Sequence, residues 1–168
     1  MKFRPIKHLK KSIAVTSILS MIVAGSAMAQ QSLKDKLTEK YGPSDGYAEI
    51  FEAPSQEVNA LKSPDISIQA LLWSASFSVQ NFYEIPKDFK GVNQIQYSIT
   101  GYKNTGTNNT YQLYTAYYNY FADGYFEDQS KTLNIGTYYS GNFFGLDTDK
   151  KYRFLIKGNV IGDISVYN

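Results

Sequence analysis

The sequence contains no cysteine, and its one histidine, His8, lies in an N-terminal stretch that we expect to be cleaved off. Without imidazole or thiol, the mature chain cannot form Ser-His-Asp or Cys-His catalytic groups, an HExxH metalloprotease site or a Cys/His zinc site. A lipid-anchored lipoprotein also needs a cysteine, so that anchor is excluded. The remaining chemistry is that of carboxylates, hydroxyls, amines and phenols. We predict a non-enzymatic protein with no metal and no cofactor.

Residues 1–29 have the three parts of a secretory signal peptide. The head is basic and has no acidic residue, an apolar run follows over residues 13–23, and Ala27-Met28-Ala29 matches the A-x-A cleavage pattern. The apolar run is too short for a membrane anchor, because a hydrocarbon core about 30 Å thick needs roughly 20 apolar residues. We therefore predict a secreted, extracellular protein that is cleaved after Ala29 and then has no transmembrane segment.

Cleavage would reverse the net charge. It removes five of the 17 basic residues and none of the 15 acidic ones, so the remaining 139 residues carry a net charge of −3. Arg153 is their only arginine. A weakly acidic chain is poorly suited to neutralising phosphates, so we predict no binding to nucleic acid. The length is that of one ordinary domain, which can bury a core without disulfides.

Residues 32–41, SLKDKLTEKY, predict a short amphipathic helix within a leader that spans residues 30–46. Leu33, Leu37 and Tyr41 recur at a spacing of four, Ser32 can cap the start, and the GPSDG segment ends the pattern. Ten residues form only a marginal helix in water. The sequence leaves open whether this helix docks on the domain or is a mobile leader.

From Tyr47 onward, short alternating runs are separated by turn residues, which is typical of an all-β domain. The clearest run is 93–102, where Ile95, Tyr97 and Ile99 alternate with polar residues. Further strands are predicted at 47–53, 65–73, 74–83, 111–121, 132–139, 150–158 and 162–168. We predict loops or turns at 53–64, 103–109, 122–131 and 140–150. Strands with one apolar and one polar face are typical of antiparallel sheets that pack on one side.

These seven to eight strands predict an antiparallel β-sandwich over residues 47–168, of jelly-roll or immunoglobulin-like type. The alternative is a small closed barrel.

The stretch TYQLYTAYYNYFADGYF, residues 110–126, holds six tyrosines and two phenylalanines. Leu113 and Phe121 assign one face of this strand to the core, which leaves Tyr114, Tyr118 and Tyr120 as a row on the outer side. One interpretation is purely structural, because tyrosine favours strands and covers half-exposed sheets. The other is a platform on which sugar rings stack, or a contact for another protein.

Trp73 is the only tryptophan. Beside an apolar strand it is typical of a core, and if exposed it would be the best single ligand contact. Asp147 and Asp149, with the acidic residues of 122–131, could offer oxygens to calcium, but neither segment matches an EF-hand loop. Aspartate in β-turns is routine. The sequence therefore does not decide whether calcium binds these turns.

The closing stretch KKYRFLIKGNVIGDISVYN, the YSITGY strand and the predicted signal peptide resemble small secreted proteins of Gram-positive bacteria of the YolA type. The resemblance is one of pattern over residues 90–168. It implies an exported bacterial β-sandwich domain, and it implies no activity and no site residue.

The sequence thus favours extracellular binding or interaction at the cell envelope, in a matrix or with carbohydrate. The candidate ligand contacts are Tyr114, Tyr118, Tyr120 and Trp73. The first alternative is a structural, toxin-like or inhibitory factor that contacts another extracellular protein through the same surface or a strand edge. The second is a carboxylate-dependent hydrolase, for which no spacing pairs two carboxylates.

Overall fold

A computed structural model describes residues 31–53, 70–90 and 92–168. The predicted signal peptide, the predicted loop beyond Ala53 and residues 65–69 of the next predicted strand lie outside the described residues.

The described residues form one helix and ten strands, all paired antiparallel. In chain order they are α1 (Leu33–Tyr41), β1 (Gly46–Glu52), β2 (Leu71–Val79), β3 (Phe82–Glu84), β4 (Phe89–Lys90), β5 (Gln94–Lys103), β6 (Thr110–Asn119), β7 (Gly124–Asn134), β8 (Tyr138–Phe144), β9 (Lys151–Lys157) and β10 (Val160–Tyr167). The first sheet has the order β1-β2-β10-β5-β8, and the second has β3-β9-β6-β7 with β4 also on β9. The all-β sandwich prediction is confirmed.

The main core lies between the two sheets and is built from alternate residues of each strand. Trp73, Phe77 and Ile99 come from the first sheet, and Leu113 and Phe154 come from the second. These side chains are buried because successive residues of a strand face opposite sides. The predicted inward positions of strands 93–102, 150–158 and 162–168 are therefore confirmed.

Helix α1 covers the outer face of the second sheet. Ser32 caps its start, where its hydroxyl accepts a hydrogen bond from the backbone N–H of Asp35 at 3.2 Å. Gly42 ends it with a φ of 85°, a conformation that suits glycine. Leu33 and Leu37 are buried in a second apolar cluster with Phe82, Tyr114, Ala116, Tyr125 and Leu155. The helix is thus docked on the sheet.

Between residues 122 and 150 the predicted strands were wrong. The predicted turn at 122–131 is most of β7, and the predicted connection at 140–150 contains most of β8. The actual turn lies inside the predicted strand 132–139, at Gly136 with a φ of 84°. Among the described strands β7 pairs only with β6, so it is an edge strand there, with much polar surface. Its many polar residues are of the types that also form turns, which is why the sequence predicted a turn here.

Two other predictions were wrong in detail. Residues 71–79 form one continuous strand across the predicted boundary between 65–73 and 74–83. Phe121, which was assigned inward, is fully exposed, because β6 ends at Asn119. The side-chain oxygen of Asn119 accepts the backbone N–H of Phe121 at 2.9 Å and turns the chain away from the sheet.

Candidate functional site

The predicted tyrosine row does not form a continuous exposed surface. Tyr114 is on the outer face of the second sheet as predicted, but α1 covers it and leaves 7% of it exposed. Its hydroxyl donates to Gln112 Oε1 at 2.7 Å, and burial raises the pKa of Tyr114 to about 12. Tyr114 is therefore part of the surface on which the helix sits.

Tyr118 lies just beyond the helix and is surrounded by its neighbours. Its hydroxyl donates to Asp123, and its ring is edge-on to Tyr120 at 4.9 Å and to Tyr125 at 5.2 Å between centroids. Lys151 Nζ stands 4.3 Å from the ring centroid. One ring face already holds a cation, so it cannot also stack on a sugar. Tyr120, at 71% exposed, is the free member of the row.

An ion network fixes the neighbouring carboxylates. Arg153 donates through Nε to Asp88 at 2.5 Å and through one terminal nitrogen to Glu84 at 2.6 Å, while Lys151 lies 3.3 Å from Asp88. The hydroxyl of Tyr125 also donates to Asp88 at 2.7 Å. Burial opposes the charge of Asp88, but the bonds from Tyr125 and Arg153 outweigh it and lower the pKa of this carboxyl. A general acid needs the opposite shift.

Trp73 is a core residue with 1% of its surface exposed. Its ring lies edge-on to Phe154 at 6.1 Å between centroids. It is therefore not available to a ligand at the surface. The structure brings Tyr118 and Tyr120 together and places Tyr114 and Trp73 in two different buried clusters.

The outer face of the first sheet carries the larger set of free aromatic rings. Serines recur across its strands: Ser74, Ser76 and Ser78 on β2, Ser165 on β10, Ser98 on β5 and Ser140 on the edge strand β8. Along its margins stand exposed rings: Tyr47 at 65%, Phe51 at 48%, Tyr102 at 51%, Tyr138 at 65% and Phe144 at 60%. We call this surface the serine face. Its most exposed rings stand at the margins, and serines predominate between them, with Ile161 and Tyr167 also on the central strand β10.

The strand register shows how the rings flank the centre. One row across the sheet reads Tyr47, Ser78, Ile161, Tyr102, and the next reads Glu49, Ser76, Asp163, Thr100, Tyr138. Tyr47 and Tyr102 are three strand spacings apart, about 14 Å. In the second row the Ser76 hydroxyl donates to Asp163 Oδ1 at 2.6 Å. Hydroxyl and carboxylate groups thus lie between exposed aromatic rings on this face.

Sequence reasoning missed the serine face. Its signal is the complement of the core pattern: where Ala75, Phe77 and Val79 point inward, the serines between them share the opposite face. From the sequence alone those serines belong to the polar face that any half-buried strand has, and nothing in them indicates a site. Tyr47 and Phe51 likewise alternate with Ala48 and Ile50. The aromatic margins become visible only when the strand order places β1 and β8 at opposite edges.

No family model and no curated protein sequence matches this chain. Among solved structures it is similar to the CBM22-1–GH10 modules of a Clostridium thermocellum endo-1,4-β-D-xylanase complexed with xylohexaose, at 11% identity and a TM-score of 0.36. The match covers 74% of this chain and only 26% of the xylanase chain.

Two further matches are carbohydrate-binding modules. One is a mutant family 29 module, with 13% identity and a TM-score of 0.33 over 73% of this chain and 83% of that one. The other is the family 11 module of C. thermocellum in complex with a β-1,3-1,4-mixed-linked tetrasaccharide, with 14% identity and a TM-score of 0.31 over 74% and 85%. With TM-scores below 0.5, these similarities carry no argument about the ligand of this chain.

Within residues 31–53, 70–90 and 92–168, no three His, Cys, Asp or Glu side chains are grouped to hold a metal ion. The helix in the described part of the chain is neither long enough nor apolar enough to span a bilayer.

Proposed function

We propose that this chain is an exported, non-enzymatic β-sandwich protein that binds an extended carbohydrate along the serine face. The observation that carries the proposal is the arrangement of exposed rings at the margins of a polar, small-residue centre. Aromatic rings offer flat surfaces to the C–H faces of sugars, the serine and threonine hydroxyls can donate to and accept from sugar hydroxyls, and the carboxylates can accept from them. Five strands span about 19 Å, which suits an elongated ligand better than a single small molecule.

A protein partner fits this face less well. Protein interfaces have an apolar centre and a polar rim. The serine face has the reverse order, since Ser74, Ser98 and Ser165 occupy the middle and rings such as Phe51 occupy the edge. A partner protein would have to desolvate these central hydroxyls, whereas a sugar can hydrogen-bond to them.

The same face argues against a hydrolase. Glu49 and Asp163 lie in one row, two strand spacings or about 10 Å apart, but both are exposed on an open surface. Glycoside hydrolysis needs an acid whose surroundings desolvate it, on the other side of the scissile bond from its partner. Neither carboxylate has such surroundings, so we assign both to binding sugar hydroxyls.

Retention on insoluble polysaccharides tests the proposal. The protein is passed over cellulose, chitin and purified cell-wall polymer, and the bound fraction is measured for the wild type, Phe51→Ala, Tyr138→Ala and the double variant. Each ring should contribute about 0.5–1.5 kcal/mol of stacking, so each single variant should bind roughly two- to tenfold more weakly.

Tyr120→Ala is the matched control, because this ring is about as exposed as Tyr138 but lies away from the serine face, just after β6 of the second sheet. It should leave retention unchanged. Failure of the wild type to bind any of the polymers, or equal losses in Tyr120→Ala and Tyr138→Ala, would refute the proposal.

Export is supported by the basic head, the short apolar run and the A-x-A pattern of residues 1–29. Mass spectrometry of the protein in the culture medium should show an N-terminus at Gln30. Recovery only from the cells, with Met1 retained, would contradict export.

A further inference from the structure

A pocket of about 390 Å³ lies on the second sheet, away from the serine face. It sits at the end of α1, and its floor is one row of the sheet formed by Thr132, Gln112 and Lys157. Its remaining walls are Tyr41, Gln80, Asn81, Asn108, Thr110, Tyr111, Gly158 and Asn159. The volume suits a ligand of one or two sugar units.

The lining is strongly polar and carries a single charge. Five of its eleven residues are Asn or Gln, Lys157 is its only charged side chain, and it contains no carboxylate. Lys157 also forms no ion pair with any carboxylate among the described residues. The pocket is therefore a cationic site with many amide groups.

The hydrogen bonds among the lining residues occupy the oxygen of Gln112 and leave several N–H and O–H donors for a ligand. Lys157 Nζ donates to the Tyr41 hydroxyl at 2.9 Å and to Gln112 Oε1 at 3.0 Å, and Gln112 Oε1 also accepts from Tyr114. Because an ammonium only donates, the oxygen of Gln112 must be the atom that faces it. Among the described residues, the groups without a hydrogen-bond acceptor are the third N–H of Lys157, the NH₂ of Gln112 and the O–H of Tyr41.

Three further amides add to this set. The side chains of Gln80, Asn81 and Asn108 make no hydrogen bond to other described residues. Asn159, by contrast, is held by Thr105 through both its oxygen and its nitrogen, and acts as a fixed wall. The free amides can both donate to and accept from hydroxyl groups.

Tyr41 supplies one partly exposed ring beside the cation. Lys157 Nζ lies 4.2 Å from the ring centroid, and its hydrogen bond to the phenol lowers the pKa of Tyr41. The ring and the ammonium are thus held together at the pocket mouth.

We propose that this pocket binds a small polyhydroxylated carboxylate, of which a uronic acid unit is the type. The carboxylate of the ligand accepts hydrogen bonds from Lys157, Gln112 and Tyr41. Its ring hydroxyls form hydrogen bonds with the amides of Gln80, Asn81 and Asn108. A charge-assisted hydrogen bond is about twice as strong as a neutral one, so an acidic sugar is preferred over its neutral counterpart. This site is independent of the serine face, so either assignment can fail alone.

The test compares D-galacturonate, D-galactose and acetate by calorimetry and by amide chemical shifts in the millimolar range. Galacturonate should bind at least tenfold more tightly than galactose or acetate, should shift signals of the pocket lining, and should weaken as salt is raised. Equal binding of galactose would overturn the need for the charge. Equal binding of acetate would overturn the assignment to a sugar acid, and no shift with any probe would overturn the site.

Two variants locate the effect. Lys157→Gln should lose galacturonate binding at least tenfold, and Gln112→Glu, which keeps Lys157 but places a carboxylate in the pocket, should lose it as well. Lys90→Gln is the matched control, since Lys90 pairs with Lys151, about 20 Å along β9 from Lys157. Wild-type binding in both pocket variants, or equal loss in the control, would overturn the proposal.

Discussion

Because α1 docks on the second sheet, Leu37→Ala should lower the free energy of unfolding by a defined amount. Leu37 is buried in the cluster that also holds Leu33, Tyr114 and Leu155. Buried Leu→Ala changes cost about 2–5 kcal/mol, and a site at the margin of a helix and a sheet belongs at the lower end because the helix can shift to close the cavity. We expect a loss of about 2–3 kcal/mol, which for a domain of this size lowers the melting temperature by about 6–15 °C.

Denaturant unfolding followed by the fluorescence of Trp73 measures this cost, because the ring is buried in the main core and not under the helix. Proteolysis provides a local readout. A nine-residue helix is marginal alone, so a weakened dock should expose the lysines of α1 to trypsin before the sandwich unfolds.

Glu39→Gln is the control, since it changes an exposed position of the same helix and keeps all of its lysines. It should alter stability by less than about 0.5 kcal/mol. A loss below that value in Leu37→Ala, with α1 cleaved equally fast in both variants and the wild type, would show that the helix does not dock as described.

Three further outcomes follow from other contacts. Gly162→Ala should abolish folding or cost about 3 kcal/mol or more in denaturant unfolding, because a methyl group there would overlap the carbonyl oxygen of Thr100; wild-type stability would contradict this. Asp88 has a lowered pKa beside Arg153. Its contribution to the free energy of unfolding is therefore present above about pH 3.8 and is lost as the pH falls through the pKa that Asp88 has in the folded chain. Below about pH 3.8 the free energy of unfolding should therefore fall less steeply with decreasing pH in Asp88→Asn than in the wild type, and an equal slope would contradict this. Burial raises the pKa of Tyr114 to about 12, so its phenol should stay protonated at about pH 11 while the chain is folded; the difference in phenolate absorbance between the wild type and Tyr114→Phe measures this, and ionisation near pH 10 in the folded chain would contradict its burial.

The fold class could be predicted because burial imposes a period of two on most strands. Ile95, Tyr97 and Ile99 show it clearly, and their burial follows directly. The edge strand β7 could not be recognised in the same way. It pairs with a described strand on one side only, and most of its polar residues are exposed, so its composition resembles that of a loop.

The candidate site was less predictable, because it depends on which elements come together. Nothing local in the sequence shows that α1 covers Tyr114 or that Lys151 covers a face of Tyr118. The aromatic margins of the serine face come from Tyr47 and Tyr138, which are far apart in the chain and lie in strands at opposite edges of one sheet. The amphipathic pattern of the helix did predict its buried residues Leu33 and Leu37, but it was wrong for Tyr41, which is exposed beside Lys157.

The most direct measurement of carbohydrate binding at the serine face is an aromatic NMR titration with a soluble oligosaccharide of the polymer that retains the protein. The binding face is then identified by the rings whose signals move. The account predicts shifts at Tyr47, Phe51 and Tyr138, with Tyr118 and Tyr120 unmoved. Shifts confined to Tyr118 and Tyr120 would contradict it and would place the ligand on the other sheet.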